Sequence, residues 1–133
     1  MLNDTEKRSM QMAGKQINQG DIYWLDLGDD NPFGVEHAHP YVVIQDNVIN
    51  HSRVETVVLC ALTTNMKKVN LPGNILLDVG EGDLPKESIV VVSQVVSVEK
   101  TALGEYIGAL SKKRIEQIYA GLNLLQRMSD KKN

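Results

Sequence analysis

The sequence lacks the features that mark secreted and membrane proteins. Its single cysteine, Cys60, excludes an internal disulfide and lies in an apolar stretch, where a thiol usually packs as a small hydrophobic group. The longest apolar runs, such as residues 89–92, fall far short of the roughly 18 residues that a membrane-spanning helix needs. No apolar stretch of signal-peptide length follows the polar start. We therefore expect a soluble, cytoplasmic protein with no membrane partner.

Basic residues are scarce in the middle of the chain. The formal net charge is −3, but residues 20–111 alone carry −8, whereas residues 1–19 carry +1 and residues 112–133 carry +4. A nucleic-acid-binding protein normally shows a basic stripe, because contacts to phosphates supply most of its affinity. The composition therefore argues against a broad nucleic-acid-binding surface and leaves room for a local basic groove.

The chain has 133 residues, the size of one domain, and its periodicity predicts short strands followed by one helix. Segments rich in branched apolar and aromatic residues, bounded by turn residues, predict strands at 21–27, 40–45, 55–63, 74–79, 88–98 and 105–110. After a candidate N-cap at Ser111, apolar residues recur at helical spacing: Ile115, Ile118, Tyr119, Leu122 and Leu125. This pattern is typical of a mainly β fold, a small barrel or curled sheet with a C-terminal helix.

The chain divides into three regions by composition. Residues 1–19 are polar without clear periodicity, so we expect a flexible N-terminal extension. Residues 20–128 form the single predicted domain, and residues 129–133 form a polar tail. Within the domain, the twelve residues from Gly28 to His39 have loop composition. A loop of that length inside a compact domain is often functional.

Four segments, taken in order, resemble the MazF/PemK/Kid family of toxin endoribonucleases. They are GDIYWLDL at 20–27, HPYVVIQ at 39–45, VLCALTTN at 58–65 and LPKESIVVVSQVVSVEK at 84–100. Each segment is a generic strand, but their order and the gaps between them are specific. The resemblance implies an SH3-like β-barrel of the MazF/PemK/CcdB type with a C-terminal α-helix, working as a homodimer. It also implies the toxin of a type II toxin–antitoxin system.

In such a system, the toxin cleaves single-stranded mRNA as an endoribonuclease (mRNA interferase) and is silenced by an antitoxin protein. The substrate's 2′-hydroxyl serves as the nucleophile, so the resemblance implies neither a metal nor another cofactor. The expected partners are single-stranded RNA, the antitoxin, a second copy of the chain and, through the antitoxin complex, DNA.

Carried over residue by residue, the resemblance implies His39 and Thr63 as catalytic residues. In the family, an arginine that takes part in proton transfer usually precedes the proline of the second strand, and here that residue is His39. An imidazole exchanges protons near neutrality, so it suits this task. Thr63 corresponds to a threonine that contacts phosphate or stabilises the transition state. Relatives commonly carry a basic residue where this chain has Val96. This departure leaves open a second interpretation, a catalytically weakened homologue that binds an antitoxin, DNA or another protein.

Further side chains are candidates for substrate binding, because RNA recognition uses cations for phosphates, aromatic rings for stacking and amides for base edges. Lys67 and Lys68 are the paired basic residues of the central segment, and Phe33 lies in the long loop. The other candidates are His37, Thr64, Asn65 and Gln94. Each has a simpler alternative interpretation, a solvated surface residue or a turn that satisfies its own backbone.

A metal-dependent hydrolase is a further alternative. If the chain is extended at this point, His37 and His39 project to the same side and could share a metal ion. A metal site would need a third ligand, and the nearby candidates in sequence are His51, Asp29 and Asp30.

Overall fold

The structure is a computed structural model of the chain and describes residues 16–28 and 38–130, with side chains as far as Arg127. These residues form strands and helices in the predicted order. The strands are β1 (Asp21–Leu25), β2 (His39–Val43), β3 (Thr56–Thr63), β4 (Ile75–Leu77), β5 (Ser88–Glu99) and β6 (Tyr106–Ala109). The helices are α1 (Asn47–Asn50) and α2 (Lys112–Asp130), and single 3-10 turns occur at Met66–Lys68, Glu81–Asp83 and Lys100–Ala102.

The strands form one curled sheet in the order β4-β5-β3-β2-β1-β6, and neighbouring strands pair antiparallel. The long strand β5 pairs with β3 on one side and, near its start, with β4 on the other. A bulge interrupts the β3–β5 ladder between Cys60 and Ala61, so that residues 92–94 of β5 have no partner on β3. Bulges bend a strand and increase its twist, which favours the curling of this sheet.

Alternate residues of the central strands enter two hydrophobic cores, one on each face of the sheet. The first core, which includes residues of α2, consists of Ile22, Val42, Cys60, Leu62, Leu77, Leu84, Val90, Val92, Leu110 and Ile118. The second core consists of Tyr23, Leu25, Tyr41, Val43, Val57, Leu59 and Ala61. Because both faces are covered, β2 and β3 read as nearly continuous apolar runs. Burial in the first core raises the pKa of the Cys60 thiol to about 12, so this cysteine packs as a hydrophobic group.

Helix α2 begins directly after the predicted N-cap, where the Ser111 hydroxyl accepts a hydrogen bond from the Arg114 N–H at 3.2 Å. The predicted apolar face divides into residues that are at least half-buried, Ile115, Ile118 and Leu122, and residues that are exposed, Tyr119 and Leu125. Tyr119 is held at the surface because its hydroxyl donates to the Ile44 carbonyl at 2.7 Å. In the part of the chain that the structure describes, no helix has both the length and the apolar character to cross a membrane.

The first described residues contact the domain. The Gln19 side-chain amide donates to the Ile44 carbonyl at 3.0 Å, and the Gln19 backbone N–H donates to Asn47 Oδ1 at 2.7 Å. Residues 16–19 of the predicted extension therefore lie against the sheet. The rest of that extension, residues 1–15, and residues 131–133 of the predicted tail lie outside the described residues.

An ion pair joins helix α2 to the turn after β4. The Arg114 guanidinium makes two hydrogen bonds to the Glu81 carboxylate, 2.9 Å from Nε to Oε1 and 2.8 Å from Nη2 to Oε2. These bonds lower the pKa of Glu81 below its ordinary value. A carboxylate whose pKa is lower in the folded state stabilises the protein at pH values above its unfolded pKa. That stabilisation is lost as the pH falls through the folded pKa.

We expect Glu81→Gln to lower the free energy of unfolding by about 1 kcal/mol at pH 7, because the pair is bidentate and only partly exposed. The difference from the wild type should shrink as the pH falls through the lowered pKa of the Glu81 carboxylate. Urea unfolding at pH 7 and pH 3 measures both values. The control is Glu116→Gln, which changes an exposed residue on α2, the helix that carries Arg114. Its free energy of unfolding should stay within about 0.5 kcal/mol of the wild type. An equal loss for Glu81→Gln at both pH values would contradict this account.

Candidate active site

His39 and Thr63 lie at the same end of the sheet on neighbouring strands. Strands β2 and β3 pair with Tyr41 opposite Ala61, and continuing this register by two residues sets His39 opposite Thr63. Directly opposite residues on antiparallel strands have Cβ atoms about 5 Å apart. Since residues two apart on a strand share a face, His39 and Thr63 face the same side as Tyr41 and Ala61. We call this place the His39 end, where four strands contribute Leu25, His39, Thr63 and Ile89.

Both candidate catalytic side chains are half-buried, and the Nε2 atom of His39 is screened from solvent. The Thr63 hydroxyl accepts a hydrogen bond from the Asn65 N–H at 3.1 Å, and Asn65 Oδ1 accepts one from the Lys67 N–H at 3.1 Å. The side chains of Thr63 and Asn65 thus accept hydrogen bonds from backbone N–H groups of the turn. This agrees with the simpler interpretation, in which turn residues satisfy their own backbone. The Thr63 hydroxyl proton takes no part in that bond, so the hydroxyl retains a donor for a substrate oxygen.

The turn after β3 brings cationic side chains to the His39 end. Lys67 is exposed and Lys68 is half-buried, and both belong to the 3-10 turn that follows the strand by two residues. The Asn74 side-chain amide donates to the Lys68 carbonyl at 2.9 Å and so holds this loop. Within residues 16–28 and 38–127, neither ammonium group enters an ion pair. Together with the exposed Thr64, these lysines are available for contacts with phosphate.

Gln94 lies in the bulge of β5 and is half-buried. Exposed and half-buried residues alternate from 93 to 99, which places Gln94 on the same face as Val96 and Val98, both packed against the second core. The bulge opens beside Ala61, the cross-strand partner of Tyr41. Tyr41 is a residue of the site region that the sequence did not reveal. The only feature that marks Tyr41 in the sequence is a phenol hydroxyl within an apolar strand, two residues after His39.

Two predicted substrate-binding residues, Phe33 and His37, lie outside the described residues, as do Asp29 and Asp30. The structure separates His51 from His39, because β2 begins at His39 and runs toward α1, which His51 follows. The His51 Nε2 atom lies 2.9 Å from Asn18 Oδ1. Among the described side chains, no three histidine, cysteine, aspartate or glutamate residues are grouped as a metal site.

A cavity of about 650 Å³ opens beside the second core, on the face that also carries Tyr41. Its walls include residues from distant segments, among them Tyr23, Asn50, Ser52, Lys100 and Tyr106. The Lys100 ammonium donates to the Asn50 carbonyl at 2.8 Å and to the Ser52 carbonyl at 3.3 Å, so it fixes the loop after α1. His39, Thr63 and Gln94 are not among the residues that line the cavity, but Tyr23, which does line it, pairs with Tyr41 between β1 and β2.

A family model described as a PemK-like, MazF-like toxin of type II toxin-antitoxin systems matches residues 18–125. The chain belongs to this family. Over 106 residues it is 32% identical to Endoribonuclease MazF6 of Mycobacterium tuberculosis, a match that covers 80% of this chain and 93% of the relative. Endoribonuclease MazF of Staphylococcus saprophyticus is 24% identical over 108 residues, with coverage of 81% and 89%. The family predicted from four sequence segments is thus confirmed.

Solved structures of MazF proteins share the fold of this chain. MazF from Deinococcus radiodurans matches with a TM-score of 0.68 at 15% identity, covering 84% of this chain and 97% of that one. A mycobacterial endoribonuclease, solved in complex with its cognate antitoxin, matches with a TM-score of 0.65 at 23% identity, covering 80% and 90%. The predicted mainly β fold of the MazF/PemK type with a C-terminal helix is confirmed.

Proposed function

We propose that this chain is the toxin of a type II toxin–antitoxin pair and cleaves single-stranded RNA as a metal-independent endoribonuclease. The observation that carries the proposal is the register of β2 and β3, which sets a proton-exchanging side chain, His39, opposite a hydroxyl donor, Thr63. Membership of the MazF-like family supports it, because relatives named as endoribonucleases align with most of the domain.

Metal-independent cleavage uses the substrate's own 2′-hydroxyl as the nucleophile. A base removes its proton while the oxygen attacks the adjacent phosphorus, and an acid protonates the leaving 5′-oxygen. Donors stabilise the negative charge on the phosphorane. The products are a 2′,3′-cyclic phosphate and a free 5′-hydroxyl. In this proposal His39 removes the proton, the Thr63 hydroxyl donates a hydrogen bond to a phosphorane oxygen, and a solvent water molecule protonates the leaving 5′-oxygen.

The proposal assigns substrate binding to residues around the His39 end. Lys67 and Lys68 fit contacts with phosphates, because their ammonium groups enter no ion pair within the described residues. Gln94 fits a contact with a base, because its amide is half-buried on the same face of the sheet. The proposed set also includes Phe33, His37, Thr64 and Asn65, of which Phe33 and His37 are proposed from the sequence alone.

The proposal extends to two protein partners, an antitoxin and a second copy of the chain. MazE–MazF complexes have been solved for Deinococcus radiodurans, and antitoxin binding by this chain is proposed by analogy. An antitoxin complex would also be the route by which this chain associates with DNA. Exposed apolar side chains at Trp24, Leu124 and Leu125 offer surface that a partner could cover.

Incubation of the purified chain with an end-labelled single-stranded RNA in EDTA tests the function. We expect fragments that end in a 2′,3′-cyclic phosphate, no cleavage of the same sequence in a duplex, and no effect of the chelator. Cleavage that stops in EDTA and returns with added metal would support a metal-dependent hydrolase instead. If the folded protein binds its antitoxin but cuts no member of a pool covering all short sequences, the weakened-homologue interpretation is correct.

A further inference from the structure

Two buried polar atoms on one face of the sheet have no hydrogen-bond partner in the described part of the chain: the hydroxyl of Tyr41 and Oε1 of Gln94. The Tyr41 side chain belongs to the second core, and the residue is only 1% exposed. A buried polar group without a partner costs about 1–3 kcal/mol, and each case in a native protein requires an explanation. A phenylalanine at position 41 would fill the same core without that cost.

Both atoms belong to the face that carries the proposed catalytic pair. Tyr41 lies two residues from His39 on β2, and its partner Ala61 lies two residues from Thr63 on β3. Gln94 lies in the bulge that opens beside Ala61. Strand β3 lies between Tyr41 and β5. Beside Tyr41, its side chain is only the methyl group of Ala61. Bulges often re-aim side chains next to active sites, and this one leaves Gln94 without a partner on β3 beside Ala61.

We propose that the Tyr41 hydroxyl and Gln94 Oε1 together bind the Watson–Crick edge of one unpaired base of the RNA substrate and so contribute to sequence selectivity. This inference rests on the proposed function, and it adds a residue, Tyr41, that no part of that function requires. The Tyr41 hydroxyl can donate or accept a hydrogen bond, and Gln94 Oε1 accepts one. The order of donor and acceptor along the Watson–Crick edge differs between bases, so two partners fixed in place favour some bases over others.

The protonation state and the burial of these two groups fit a contact with a nucleobase of the RNA. Burial, with a smaller effect from Cys60, raises the pKa of Tyr41, so its hydroxyl stays neutral and can both donate and accept. To bind the two buried atoms, a base must insert past the half-buried side chains of His39, Thr63 and Gln94, which the proposal requires to move aside. An unstacked base of a single strand can insert in this way, whereas a base held in a duplex cannot.

Tyr41→Phe removes the hydroxyl alone, and we expect two effects of opposite direction. The midpoint of thermal unfolding should rise, because a buried group without a partner is removed. The value of kcat/KM for the preferred RNA sequence should fall about 10- to 100-fold, and RNAs altered at the contacted base should be affected less, so that selectivity relaxes. Gln94→Leu should relax selectivity in the same way. If Tyr41→Phe lowers the midpoint and leaves the relative rates for different RNAs unchanged, the hydroxyl is structural and the proposal is overturned.

Tyr119→Phe is the matched control. Its hydroxyl already donates to the Ile44 carbonyl at 2.7 Å and lies on helix α2, away from the proposed catalytic pair. This variant should therefore unfold at a lower temperature than the wild type and keep the wild-type selectivity. Tyr119→Phe removes a hydroxyl that forms a hydrogen bond, whereas Tyr41→Phe removes one that has no partner within the described residues. Comparing the two variants separates these effects on stability.

A binding measurement separates the failure of this proposal from the failure of the proposed function. If the wild type cleaves no RNA, its affinity for fluorescein-labelled single-stranded RNAs of differing sequence is measured by anisotropy and compared with that of Tyr41→Phe. Weaker and less selective binding by the variant would support the base contact in a protein without nuclease activity. Equal binding, or no binding by either protein, would overturn it.

Discussion

Replacing His39 by alanine should slow RNA cleavage by about 10²- to 10⁴-fold, the usual contribution of one acid or base group. We expect this because the His39 imidazole is half-buried on the face of the sheet that also carries Thr63. Continuing the register between β2 and β3 sets the two residues opposite each other. In the proposed mechanism, a phosphate held by the Thr63 hydroxyl would bring the neighbouring 2′-hydroxyl to that imidazole. The measurement is a single-turnover rate at saturating protein, which reports the chemical step rather than product release.

The pH profile provides a second test of the same residue. Histidine side chains ordinarily titrate near pH 6–7, and a histidine must be neutral to accept a proton. The wild-type rate should therefore rise as the pH is raised. An arginine stays protonated throughout, so His39→Arg, if active, should show no such rise.

His51→Ala is the matched control for His39→Ala. His51 is exposed and follows α1, at the other end of the sheet, with its Nε2 atom 2.9 Å from Asn18 Oδ1. This variant should cleave RNA at the wild-type rate. Equal rates for the wild type and His39→Ala would contradict the assignment of His39. An inactive wild type together with an active His39→Arg would identify the chain as a silenced relative.

Strands were predictable from the sequence because each apolar run ends at turn residues. The segment predicted at 55–63 is β3 (Thr56–Thr63), and the segment predicted at 88–98 is β5 (Ser88–Glu99). The sequence between β2 and β3 has the composition of a turn, whereas the structure places the short helix α1 (Asn47–Asn50) there. Four residues are too few for helical periodicity to show, and the Asp46 side chain that caps the helix is equally typical of a turn.

The neighbours within the site could not be predicted in the same way. His39 and Thr63 were identified one at a time through the family resemblance, but their juxtaposition depends on the register between β2 and β3. The bulge of β5 depends on pairing with a strand about 30 positions earlier in the chain, and it decides which way Gln94 faces. An unpartnered hydroxyl such as that of Tyr41 is a property of packing, so no local pattern reports it.

Thr63→Val should lower the cleavage rate by about 10²- to 10³-fold, the usual cost of removing one donor to a developing oxyanion. Valine keeps the shape of the side chain and removes the hydroxyl. It also removes the acceptor of the Asn65 N–H bond, so we expect a loss of stability of about 1 kcal/mol as well. Thr63→Ser retains the hydroxyl and should recover most of the rate. Single-turnover rates and thermal unfolding measure both effects.

Thr56→Val is the control at the other end of the same strand, and its cleavage rate should equal that of the wild type. Because Thr63 acts on charge and His39 on the proton, Thr63→Val should lower the rate at every pH and leave the midpoint of the profile in place. The double variant His39→Ala, Thr63→Val should lose less than the product of the two single losses, since both groups act on one transition state. Strictly multiplicative losses would show that the two side chains contribute without energetic coupling and would contradict this expectation.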